Sequence, residues 1–334
     1  MSLSTPTKLT NLRSLLANKP QQEVLRLYLH QNQDNLLKEA VLVTIFRKWS
    51  VLPPYTLTEI GVTTYERQQV HGGRPCPPGP HAEDLLRHVW SMHYRIRENA
   101  HVSATKEDPT EADQTPFHFG YSVFVTLEDA MDVLQQIWHQ PIDMMKLEKG
   151  HRPVICLSYG NNDALSKTRH VDFDFSPTKI GTTVAMLDAQ NIAIQAKITS
   201  SGDASIDYLL PIFQIRPYDE HNAGNAAMYV TVLAFLSVLR KELYGSEANP
   251  KARPGQQGIS STKTARSVMQ WLMDHPTPVP PFGVTTYCSR CSSFVHTVAE
   301  CPNTDFVCSK CLASKIKFRQ ENAVTHMEGL CIYR

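Results

Sequence analysis

The sequence predicts an α/β fold with a mixed sheet flanked by helices, followed by a small, compositionally distinct C-terminal module. Three observations carry this. Short apolar runs rich in β-branched residues, such as "EAVLVTIF" at 39–46, suit buried strands. Strand-like and helix-like stretches alternate through the middle of the chain, the pattern of sheets crossed by helices. Six of the eight cysteines fall between Cys288 and Cys331, where His residues interleave with them.

Residues 1–38 read as a helical segment. Pro20 stands near a helix start, where its missing N–H costs nothing, and Val24, Leu25, Leu27 and Tyr28 supply an apolar side. "EAVLVTIF" is a strand and "YTLTEIGVTTYE" alternates enough to be its neighbour. "PCPPGP" at 75–80 breaks the chain, and the spacing of "LLRHVWSMHYRIREN" predicts a helix. The polar "SATKEDPTEADQTP" predicts a mobile surface loop. Thr126 is an N-cap with Asp129 three residues on, opening a helix over "TLEDAMDVLQQIWHQ". "RPVICLSY" and "TTVAMLDAQ" read as strands, "NNDALSKT" and "ASIDYLLPIF" as short helices, and a long helix starts at about Asn222. Residues 39–243 therefore form the main domain. Residues 244–284 read as a flexible Pro/Gly/Ser-rich linker, with "ARSVMQWLMDH" a short helix that packs on one side or the other, and 285–334 as the terminal module.

Composition sets limits on function. Of 334 residues, 42% are hydrophobic and 19% charged, the balance of an ordinary globular chain. A net charge of +1 requires any nucleic-acid binding to come from a local patch. The sequence shows no obvious membrane span, and "MSLSTPTKLTNLRSLL" lacks the apolar core of a secretory signal. The expectation is an intracellular protein, nuclear or cytoplasmic, with no membrane partner.

In that setting clustered Cys and His point to zinc before disulfides. "CSRCSSFVHTVAEC" gives Cys288-x2-Cys291-x4-His296-x4-Cys301, the spacing of the CCHC zinc-knuckle family. The next segment gives Cys308-x2-Cys311-x14-His326-x4-Cys331, the same ends with a longer middle. Val295 and Thr325 stand where knuckles usually have Gly, and the longer middle leaves a cross-braced pairing open. Each set of three thiolates and one imidazole closes a tetrahedron, so two Zn²⁺ are expected. Zinc knuckles commonly bind single strands. Phe294 and Phe306 are candidate stacking platforms, with Arg290, Lys310, Lys315, Lys317 and Arg319 available for phosphates. The alternative is a zinc-stapled protein-interaction module.

The segments from Leu37 to Leu243, in this order, resemble the RNase H-like fold of the DEDDh-type 3′–5′ exonucleases. Within that family they resemble a fungal branch related to a helper of an mRNA-export DEAD-box helicase. "TEIG" and "HNAGN" carry the most specific part of the resemblance. Active members hold two divalent metals on four carboxylates and use a His as general base, because in-line phosphodiester hydrolysis needs a metal-generated hydroxide and a neutralised leaving oxygen. This chain departs from that pattern. Phe46 and Lys48 stand at the first-strand carboxylate pair, and no Asp or Glu lies between Val41 and Tyr55. Asp163 matches the third carboxylate and His221 the general base, but Ala226 replaces the last Asp. Mg²⁺ is therefore not expected.

Each matched residue also has a structural reading. His221 can hydrogen-bond backbone, Asp163 can cap a helix and Glu59 can anchor neighbouring backbone. Lys48 can snorkel outward or meet a phosphate. Asp172, Asp174 and Asp188 could in principle build a displaced metal site, though nothing in their spacing requires one. The resulting expectation is a non-catalytic protein that binds RNA or another nucleic acid, or serves as an adaptor among proteins of RNA metabolism. The alternatives are an active exonuclease with relocated ligands and a pure protein scaffold.

Overall fold

Two helices, Thr5–Ala17 (α1) and Gln21–His30 (α2), open the part of the chain that the computed structural model describes, residues 5–30, 37–50, 53–67, 69–70, 74–102, 115–160, 173–245 and 263–333. The β-branched run Val41–Trp49 (β1) pairs antiparallel with Leu57–Glu66 (β2), placing Lys48 opposite Glu59. A small hairpin, Gln69–Val70 (β3) with Arg74–Pro75 (β4), and one turn of helix, Glu83–Leu86 (α3), lead into Val89–Ile96 (β5). This strand is antiparallel to β2 and parallel to Ser122–Val125 (β6). On the other side β1 runs parallel to Val154–Ser158 (β7), which runs parallel to Thr183–Asp188 (β8). The six-stranded sheet has the order β6-β5-β2-β1-β7-β8, an antiparallel meander extended on both sides by parallel strands.

The helix predicted over "LLRHVWSMHYRIREN" is thus replaced by one turn and a strand that lies second from the edge of the sheet. Leu85, Leu86, Val89 and Met92 do satisfy a helical spacing. Val, Trp, Tyr and Ile are concentrated from Val89 on, however, and such residues suit a pleated surface. The backbone hydrogen bonds of β5 are met by β2, with Trp90 left 56% exposed and its neighbours inward.

Helices cover both faces. Leu127–Trp138 (α4) starts with the expected capping box, Thr126 and Asp129 each bonding the other's backbone N–H, and packs with Phe173 and Phe175 on one face. On the other face lie α1, α2, Ala189–Gln195 (α5), Ile206–Leu209 (α6) and the long helix Ala223–Tyr244 (α7). Every residue of α7 from Ala223 to Arg240 is buried, which is why it is apolar all round. Among the described residues it alone is long and apolar enough to cross a membrane, but that apolar stretch is wholly enclosed as a core helix.

The expected linker divides. Residues 246–262 lie outside the described residues, as do 103–114 of the predicted loop and the predicted helix "NNDALSKT". Residues 263–284 are docked rather than flexible. Ala265–Asp274 (α8) is capped by Thr264 and Ser267, and buries Ala265, Val268, Met269 and Leu272 in the core shared with α7. Those positions make an i, i+3, i+4, i+7 stripe, so the helix has one face that must be covered. Val284 then joins the edge of the sheet, exchanging hydrogen bonds of 2.7 and 3.1 Å with Phe124 of β6. Gly283 permits this approach. Its φ is +74°, and an added Cβ would lie 3.0 Å from the Phe124 carbonyl oxygen. Beyond it Tyr287 packs on Ala100 and Phe124, and the tail ends in two short helices, Ser309–Leu312 (α9) and Lys317–Glu321 (α10).

Candidate functional site

The two motifs that carry the family resemblance meet in space as a clasp between β2 and the start of α7. Glu59 of "TEIG" is only 3% exposed. One of its carboxylate oxygens accepts from the Ala223 N–H at 3.1 Å and faces His93 Nε2 at 3.1 Å, and the other lies 3.5 Å from the Lys48 ammonium. Burial works to raise the Glu59 carboxyl, but the His93 hydrogen bond and the attraction of His93 and Lys48 outweigh it and hold it down at about 2. A carboxylate beside the first N–H of a long helix is also favoured by the helix dipole. Gly61 completes the clasp. A Cβ there would sit 1.8 Å from the Ala223 carbonyl oxygen, so β2 and α7 can approach this closely only with hydrogen at that place.

"HNAGN" supplies the other half. Asn222 caps α7, its Oδ1 accepting from the Gly224 and Asn225 N–H groups at 2.9 and 3.2 Å. Asn225 Nδ2 donates to the Pro116 and Asp219 carbonyls, and its Oδ1 accepts from the His118 N–H. Gly224 leaves room for His93 and Phe117, which would lie 2.7 Å from any Cβ. His93 Nδ1 lies 2.8 Å from the Ser122 hydroxyl, so the chain Lys48–Glu59–His93–Ser122 is continuous.

Among the described residues, those matched to catalytic positions are not gathered into a metal site. Phe46 packs against the apolar core, and Ala226 is fully buried and brings no ligand atom. Lys48 neither snorkels outward nor stands free for a phosphate, because it faces Glu59 across the β1–β2 register. His221 is exposed, with its ring 3.6 Å from the Glu220 carboxylate rather than in the clasp. Asp163 and Asp172 lie outside the described residues. Asp188 caps α5, and Asp174 pairs with Lys179 at the surface, so neither joins the clasp. The donor set among the described residues does not fit two hard cations, since its one buried carboxylate is already held by an ammonium, an imidazole and a peptide N–H.

The tail does gather its residues. Cys288, Cys291, His296 and Cys301 form one group and Cys308, Cys311, His326 and Cys331 another, with all ligand atoms of each group within 4.8 Å of one another. The pairing is sequential, so the cross-braced alternative does not occur. The Sγ atoms of Cys291 and Cys301 are 3.8 Å apart and those of Cys311 and Cys331 are 3.6 Å apart. Thiolates about 2.3 Å from a tetrahedral Zn²⁺ would be separated by about 3.8 Å, so both groups could hold zinc. His296 and His326 present Nε2 to their groups. The Thr325 hydroxyl lies 3.0 Å from His326 Nδ1, a partner that fixes the ring's orientation.

Sequence reasoning missed two side chains here. His93 sits in a segment read as helix. His101 is buried with its ring 4.2 Å from that of His326, a contact across the chain that no local pattern signals. The expected nucleic-acid residues are spread out. Phe294 is 52% exposed under the Arg97 guanidinium, and Phe306 and Lys315 are exposed. Lys310 and Lys317 lie near Glu328 and Glu321 at the surface, while Arg290 and Arg319 are half-buried.

The family model described as "DNA polymerase III subunit epsilon-like, C-terminal domain" matches residues 47–238. Among solved structures, the RNase domain of the yeast Pop2 protein is similar at 10% identity and a TM-score of 0.28, over 73% of this chain and 91% of that one. A likeness of that size carries no argument about the site. No curated protein sequence matches the chain.

Proposed function

The chain belongs to the family of DNA polymerase III subunit epsilon-like C-terminal domains, DEDDh exonuclease-like in kind and matched over more than half its length, and from this premise we propose that it is a non-catalytic member. It acts as a nucleic-acid-binding protein, with RNA the favoured ligand, or as an adaptor in RNA metabolism. The observation that carries this reading is the Lys48–Glu59 pair. Where an active relative gathers carboxylates around cations, this chain places an ammonium beside its buried carboxylate. A fixed ammonium satisfies that charge and repels a divalent cation, and it cannot generate a hydroxide nucleophile.

The tail supports the binding half of the reading. Two zinc-knuckle-like loops at 285–334, each with a complete ligand set, present aromatic rings and cations of the kind on which single strands stack. Mg²⁺ and Mn²⁺ should promote no shortening of end-labelled RNA or DNA by the purified chain, while the same strands are retained with an affinity that falls steeply with salt. Metal-dependent shortening that vanishes in His221→Ala would overturn the non-catalytic reading.

A further inference from the structure

A cavity of about 760 Å³ lies between the end of β1 and the second Cys/His loop. Trp49, Leu57 and Leu127 line it from the exonuclease-like fold, and Arg319, Leu330 and Tyr333 from the tail. It is distinct from the clasp. Trp49, Leu57 and Leu127 belong to the core under α4, whereas Glu59 and Lys48 meet α7 on the opposite face of the sheet. Its volume falls in the range of small-molecule sites, and its lining has their character, mostly apolar with few charged groups.

The charged groups suggest what enters. The Arg319 guanidinium lies 4.4 Å over the Tyr333 ring, and both line the cavity. Guanidinium planes and aromatic rings are the surfaces on which unpaired bases stack, and the fork of a guanidinium matches a phosphate. Glu98 lines the wall contributed by the exonuclease-like fold, where its carboxylate accepts from the Leu127 N–H. A phosphate is disfavoured there, which orients a nucleotide with its phosphate toward Arg319.

We propose that this cavity receives unstacked bases of a single-stranded nucleic acid, held between Trp49 and the Arg319–Tyr333 pair, with Arg319 meeting the adjoining phosphate. The proposal rests on the reading of the chain as a nucleic-acid-binding protein. It also ties binding to the second Cys/His group, because Cys331 sits in the cavity wall between Leu330 and Ile332. Zinc at that group would fix the wall against which the base lies.

Photo-crosslinking of short single-stranded RNA carrying 4-thiouridine to the full chain, with the crosslinked peptides identified by mass spectrometry, tests this. Crosslinks at Trp49 or Tyr333 are expected. Leu330→Trp, which fills the cavity, should weaken binding roughly tenfold or more, the scale of losing stacked bases. Its zinc content should stay unchanged. RNA retained with crosslinks only around Phe294, Lys310 and Lys315 overturns the cavity as the site and leaves the nucleic-acid reading standing. No retention of any strand overturns both. If Leu330→Trp loses zinc, the crosslink map of the unaltered chain decides alone.

Discussion

The clasp at the start of α7 and the paired Cys/His groups of the tail are both places where polar side chains converge, and they have opposite characters. In the clasp each donor already has its acceptor, so the carboxylate of Glu59 is satisfied by Lys48, His93 and the Ala223 N–H without any further cation. In the tail the converging atoms are thiols and imidazoles that lie 3.4–3.8 Å apart across gaps the size of an ion. The difference teaches how to tell a structural polar cluster from a set of metal ligands. A closed set of mutual hydrogen bonds holds a structure together, whereas a set of ligand atoms facing one another without strong mutual bonds waits for a metal.

The largest effect should follow from breaking the tail. Cys311→Ser removes one thiolate from the second group, and structural zinc in such loops is worth on the order of 10 kcal/mol or more of folding free energy. Elemental analysis should fall from two zinc ions per chain toward one, and limited proteolysis should cut within 308–331. A variant that keeps both ions would show that the second group is not a zinc site.

Breaking the clasp should cost less. Glu59→Ala strands a buried ammonium, an imidazole and a helix N–H together, a loss of about 3–5 kcal/mol in thermal unfolding. Acid should reproduce part of it. The Glu59 carboxyl is held at about 2, below its ordinary 4.5, so its contribution is complete above about pH 4.5 and is lost as the pH falls through about 2. Glu59→Gln should flatten that part of the pH dependence, and an unchanged acid limb would mean that the carboxylate is not what the clasp depends on.

The smallest effect sharpens the contrast. His221→Ala, at an exposed ring, should change stability by no more than about 0.5 kcal/mol and leave strand binding unaltered. A large loss in either measurement would place His221 inside a working site.

What the sequence made legible was local. The Thr126–Asp129 capping box, the β-branched run of β1 and the ligand spacings of the tail depend on residues near one another in the chain, and each appears as its pattern indicates. What it hid depended on pairing. Lys48 and Glu59 are opposite only because β1 and β2 pair in one register, and no single-strand pattern fixes that choice. The strand at Val89–Ile96 was hidden by apolar residues that fit both periods, with the outcome set by the open edge of β2. The apolar stripe of α8 was visible as a helix, but which surface it would cover was not. The segments "TEIG" and "HNAGN" stood out for their likeness to a family, while their physical meaning, a close approach at Gly61 and a capped helix, needed the third dimension.

The bridge between Val284 and Phe124 has a consequence for how molecules of this protein behave in a crowd. β6 is an outer strand of the sheet, and a bare outer strand offers its unpaired peptide groups to the strands of other chains. Here both the N–H and the carbonyl of Phe124 are taken by the chain's own Val284, with Tyr287 laid over the same place. The segment that carries the metal-ligand loops therefore also serves as a guard rail along the sheet. Chains that lose their hold on that segment would expose a template for self-association.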